Sequence, residues 1–79
     1  MRILLAEDDA KLGNLIKHML EKAAIQVDWV LRGDMVLEYA FHDPYYVIIL
    51  DWMMPGQTGL SVCDQLRKGG YQGAILMLT

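Results

Sequence analysis

The chain is 79 residues long, 54 % of them Ala, Val, Ile, Leu, Met, Phe, Trp, Tyr or Cys, with 10 acidic against 7 basic side chains and a net charge of −3. A chain this short makes one domain and buries only about 60–65 % of its unfolded surface, so so apolar a composition predicts either a partner or membership of a larger domain. Scattered bases on an acidic chain exclude a phosphate-tracking nucleic-acid surface, the short apolar runs exclude a transmembrane helix, and the single Cys63 excludes an internal disulfide.

Residues 3–6 form a solid apolar run that breaks off at Glu7, Asp8 and Asp9, which predicts a buried parallel strand with polar groups at its carboxyl end. The same acids follow Arg2 too closely for a secretory signal to form, so a cytoplasmic location is expected. Leu12, Leu15, Ile16, Met19, Leu20 and Ala23 then recur at helical spacing, with Asp9 as N-cap. Alternation over residues 25–30 predicts an edge strand, and Gly33 ends it. A short helix carrying Val36, Leu37, Ala40 and Phe41 runs to the Asp43-Pro44 stop. Residues 47–50 form a second solid run ending in Asp51. Met54-Pro55-Gly56-Gln57-Thr58-Gly59 has loop chemistry, with a tight turn at Pro55-Gly56. A third helix is expected to turn Leu60, Cys63 and Leu66 toward the core and to end at Gly69-Gly70. A last apolar strand, 74–78, is followed by Thr79. Trp29 and Phe41 are expected in the core, and Trp52 packed against a helix.

The order βαβαβαβ with right-handed crossovers predicts an open parallel sheet with helices on both faces. Ligands of such sheets bind outside the carboxyl ends of the strands. Those ends carry Glu7 and Asp8, Asp51 and Thr79. If the first and third strands are neighbours, three carboxylates meet, and their repulsion asks for a cation; hard oxygen donors suit Mg²⁺. An aspartate held beside such a cation can attack a phosphoryl group, and the Thr79 hydroxyl can donate a hydrogen bond to a phosphoryl oxygen.

MRILLAEDD, YYVIILDWMMPGQTGLSVCDQLR and AILMLT, in this order and spanning essentially the whole chain, resemble the receiver domain of two-component response regulators, particularly the OmpR/PhoB-like class. The resemblance implies a flavodoxin-like (CheY-like) doubly wound fold with strand order 2-1-3-4-5. By position it implies Asp51 as phosphoacceptor, Glu7 and Asp8 as the acidic pair, Met53 as the residue whose backbone carbonyl completes the Mg²⁺ shell, and Thr79 as the switch hydroxyl. It also implies a sensor histidine kinase as phosphoryl donor, a DNA-binding transcriptional regulator as parent, and a signalling domain instead of an enzyme.

Thr58 stands where many relatives carry Asp, and Ala74 where many carry Pro. The family's last strand, with its lysine, and last two helices have no counterpart in residues 1–79, so a C-terminally truncated receiver with no second domain is expected. Such a chain is expected to be phosphorylated slowly and to form a homodimer or a domain-swapped oligomer through its exposed last strand. The alternative is a non-phosphorylated, receiver-derived interaction or dimerisation module. An aspartyl-nucleophile phosphohydrolase is disfavoured because Met53 stands where that class needs a second Asp. A nucleotide-binding half-domain is disfavoured because no glycine-rich loop follows the first strand.

Overall fold

The computed structural model describes residues 1–78. Four strands alternate with three helices: β1 (Arg2–Ala6), α1 (Ala10–Lys22), β2 (Gln26–Val30), α2 (Gly33–His42), β3 (Val47–Asp51), α3 (Gly59–Lys68) and β4 (Ala74–Leu78). Every expected element forms. The sheet is parallel throughout, in the order β2-β1-β3-β4, so the first and third strands are neighbours and β2 is an edge, as expected.

The two solid apolar runs occupy the sheet's centre because only there are both faces of a strand covered. Successive side chains alternate between faces. Leu4, Ala6, Ile48 and Leu50 join Val36 and Ala40 of α2 and Val62 and Leu66 of α3 in the larger core. Ile3, Leu5, Val27 and Ile49 face the other way, against Ile16 and Leu20 of α1.

Two helices therefore cover one face and α1 covers the other. On that second face Leu12, Leu15 and Met19 of α1 stay exposed, as does Leu76 of β4. The apolar stripe of α1 is wider than the seam it packs into, and only Ile16 and Leu20 are seated.

The local signals act as their chemistry dictates. Asp9 caps α1, its Oδ1 accepting from the N–H groups of Lys11 at 2.9 Å and Leu12 at 3.3 Å. Thr58 caps α3 through Ser61 N–H at 3.2 Å. Gly56 takes a φ of +89° in the β3–α3 loop and Gly70 a φ of +93° after α3, a region that favours glycine.

The face of α3 differs from expectation at one position. Leu66 is buried with Val62 and Gly59 and Cys63 packs partly buried against the same core, as expected for those two, whereas Leu60 is 58 % exposed. The cause lies at the helix start, where Gly59 donates to Trp52 O at 2.9 Å and sits so close to β3 that a Cβ would come within 2.4 Å of Asp51 O. That approach sets the helical phase, and positions 59, 62 and 66 follow inward on one stripe. Phe41 is 52 % exposed and Trp52 44 % exposed. Trp52 lies just past β3, its N–H extending the ladder to Leu78 O at 3.0 Å, and its ring is left outside the helical layers.

Candidate metal centre

Because β1 and β3 are adjacent, their carboxyl ends deliver Glu7, Asp8 and Asp51 to one place. One carboxylate oxygen from each lies within 4.8 Å of the others. Asp51 closes β3 in register with Leu78 of β4. Glu7 and Asp8 begin the loop to α1, anchored where Glu7 N–H donates to Val30 O of β2 at 3.1 Å.

The three carboxylates differ in surroundings: Glu7 is 2 % exposed, Asp51 half-buried and Asp8 exposed. Glu7 Oε2 accepts from Asp9 N–H at 3.0 Å, while its Oε1 is buried with no hydrogen-bond partner. Burial raises the Glu7 carboxyl above its ordinary value of 4.5; Asp9 N–H pulls it back, and the nearness of Asp51 and Asp8 adds to the rise. A buried carboxylate oxygen without a donor is costly, and a cation between the three groups relieves both that cost and their repulsion. The donor set, all hard oxygens, fits Mg²⁺.

Met53, expected to offer its backbone carbonyl, follows in the β3–α3 loop and is 66 % exposed. The expectation for Thr79 falls outside the described residues. Among the described residues no Lys or Arg forms an ion pair with Glu7, Asp8 or Asp51; the cations pair elsewhere, as in Arg32 with Asp34 and Lys68 with Asp64.

The β2–α2 and β3–α3 loops lock together beside the site. Gly33 N–H donates to Pro55 O at 3.0 Å, and a Cβ at Gly33 would lie 2.3 Å from Gln57 O. One contact to the acidic loop had no sequence signal beyond an aromatic residue in an edge strand: the indole Nε1 of Trp29 donates to Glu7 O at 2.9 Å.

Comparison with known proteins agrees with this fold. The family described as the response regulator receiver domain matches residues 3–79. Transcriptional regulatory protein QseB of Escherichia coli O157:H7 is 39 % identical over 79 residues, covering 100 % of this chain and 36 % of its own length; the chain thus spans about a third of such relatives. The BeF₃-activated N-terminal receiver domain of Klebsiella pneumoniae RstA superposes with a TM-score of 0.94 at 37 % identity, over 100 % of this chain and 67 % of that one. Response regulator TrrA of Thermotoga maritima, solved with Mg²⁺ and BeF, gives 0.92 at 33 % identity over 99 % of this chain and 68 % of that one. TrrA was also solved in complex with the histidine kinase ThkA, giving 0.91 at 33 % identity over 99 % of this chain and 67 % of that one. With its four-stranded parallel sheet, its three helices and its acidic cluster at the carboxyl ends of β1 and β3, the chain belongs to the response regulator receiver domain family.

Proposed function

We propose that this chain is the phosphoryl-accepting module of a two-component response regulator, with Asp51 as the acceptor. The carrying observation is the convergence of Glu7, Asp8 and Asp51 with one buried, unpartnered oxygen on Glu7. Glu7, Asp8, Asp51 and the Met53 carbonyl would hold Mg²⁺. Bound there, the ion neutralises charge on the phosphoryl oxygens and on the attacking carboxylate.

A carboxylate oxygen of Asp51 attacks phosphorus in line with the leaving nitrogen of a phosphohistidine. The O–P bond forms as the P–N bond breaks, the electron pair stays on the imidazole, and the acceptor becomes an acyl phosphate. Buried Glu7 forms the floor of the site, and the Thr79 hydroxyl is assigned to a phosphoryl oxygen. The donor is a sensor histidine kinase, a reading supported by the ThkA complex of TrrA.

QseB is by name a transcriptional regulatory protein. The reading therefore extends to a transcriptional regulator as parent, with DNA contacted by residues other than these, since the bases here are scattered over a chain of net charge −3.

The test is intact-mass measurement after incubation with acetyl phosphate and Mg²⁺. One phosphoryl adduct is expected on the wild type and none on Asp51→Asn or in EDTA. The 79-residue polypeptide by itself is expected to label slowly, because its described residues bring no cation to the acidic cluster. A missing charge-assisted contact of about 1.5–3 kcal/mol corresponds to roughly ten- to a hundredfold in rate.

The exposed Leu12, Leu15, Met19 and Leu76 favour a second reading, a receiver-derived module that pairs with another copy. Absence of the adduct, together with a dimer in light scattering, would select it.

A further inference from the structure

The acidic loop is held by more than its own carboxylates. β1 ends at Ala6, yet both backbone polar groups of Glu7 are bound by β2, its N–H by Val30 O at 3.1 Å and its C=O by the Trp29 indole at 2.9 Å. Trp29 is the partner of Leu5 in the β1–β2 register, two residues before Glu7, which brings its ring alongside the strand end.

The ring's seat is prepared on α1. A Cβ at Gly13 would lie 2.2 Å from Trp29 Cζ2 and 2.7 Å from its Nε1. Glycine inside a helix is less favourable than alanine, so α1 gives up stability to admit the indole. Apolar packing alone would be satisfied by phenylalanine; the N–H is what reaches the Glu7 carbonyl.

We propose that Trp29 is a positioning residue for the acidic site: its indole N–H pins the Glu7 main chain so that Glu7 and Asp8 face Asp51 in the spacing that receives a divalent cation. The proposal rests on the metal reading above. Three carboxylates within 4.8 Å push one another apart, and a displacement of about half an ångström is enough to spoil a coordination set. The anchor from β2 opposes that displacement without itself touching the cation.

The test uses the intact protein and Mn²⁺ alone as probe, counted by the electron paramagnetic resonance of the free ion. Wild type is expected to bind Mn²⁺ and Asp51→Asn to lose it. Trp29→Phe, which keeps a ring and removes the donor, is expected to weaken binding about three- to tenfold, the size of one hydrogen bond. Gly13→Ala, which displaces the ring and keeps the donor, is expected to do the same. In wild type the Trp29 indole N–H resonance is expected to shift as Mg²⁺ is added, a readout that requires no variant to fold.

Wild-type Mn²⁺ affinity in both folded variants, with only their melting temperatures lowered, would overturn the proposal and leave the metal site standing. So would an indole resonance that stays fixed while the cation saturates. Failure of the wild type to bind Mn²⁺ through Asp51 would instead overturn the metal reading, and the positioning role with it.

Discussion

Asp28 and Tyr45 are joined by a 2.5 Å hydrogen bond from the tyrosine hydroxyl to Oδ2, and the same oxygen takes Arg2 Nε at 3.0 Å and an Arg2 terminal nitrogen at 2.8 Å. The contact ties the middle of β2 to the start of β1 and to the residue that leads into β3. The tyrosine hydroxyl, and after it the Arg2 guanidinium, hold the Asp28 carboxyl below its ordinary value of 3.8 against the opposing effect of burial. A folded value below the unfolded one means that protons prefer the unfolded chain. The contribution is therefore full above about pH 4 and is lost as pH falls through the depressed folded value.

Tyr45→Phe removes the hydroxyl and leaves the ring. It is expected to lower stability by about 1–3 kcal/mol at neutral pH, the range for a hydrogen bond to a charged group in a partly buried setting. The gap between variant and wild type should narrow as pH falls below the ordinary Asp value of 3.8. Urea unfolding at neutral pH and below that value checks both statements; a gap that stays constant with pH would show that Asp28 gains nothing from the hydroxyl.

At the other end of β1, Glu7 has the opposite sign. Its carboxyl is raised, first by burial, so the metal-free protein loses stability as pH rises from the ordinary value of 4.5 through the raised one. Glu7→Gln removes that buried charge. In EDTA it is expected to melt about 5–20 °C above wild type, since relief of about 1–3 kcal/mol moves the midpoint of so small a domain by roughly 4–8 °C per kcal/mol. Adding Mg²⁺ should raise the wild-type midpoint and leave Glu7→Gln nearly unchanged. A variant that melts below wild type in EDTA would mean that the site is not strained by its own charge.

The strands were legible in the sequence because a central parallel strand is buried on both faces, and residues 3–6 and 47–50 are solid apolar runs too short for a helix and bounded by polar residues. The acidic site was legible for the same reason, since Glu7, Asp8 and Asp51 terminate those runs. Side-chain facing was not. By spacing Leu60 is expected inward with Cys63 and Leu66, and Val62 takes the inward place instead through a long-range contact, Gly59 against Asp51 O. From sequence Trp29 is expected only as a packing residue, because nothing in an edge strand announces that an indole N–H meets the end of its neighbour.

The facing of α3 is open to direct measurement. Leu66→Ala empties a fully buried position and is expected to cost about 2–5 kcal/mol. Leu60→Ala, at a residue more than half exposed, is expected to change stability by no more than about 0.5 kcal/mol. Urea unfolding of the two variants decides the phase: comparable losses would restore the stripe of Leu60, Cys63 and Leu66.

Gly59 links that phase to the chemistry. A methyl group at this position would meet Asp51 O at 2.4 Å and Met77 Cε at 3.1 Å. The methionine end can swing away, but the carbonyl belongs to the peptide that carries Asp51 into Trp52, whose N–H is bonded to Leu78 O. Gly59→Ala must therefore lift α3 or tilt the Asp51 peptide. An expected stability loss of about 1–3 kcal/mol should be accompanied by slower labelling with acetyl phosphate if Asp51 is the acceptor proposed above, because its carboxylate turns with its backbone. Gly70→Ala supplies the contrast, with a positive φ and no atom within 4 Å of the added Cβ. Its cost of about 1 kcal/mol comes from the backbone alone, and Asp51 should label at the wild-type rate. Equal labelling rates for the two variants in an intact-mass time course would separate helix placement from acceptor geometry and refute the link.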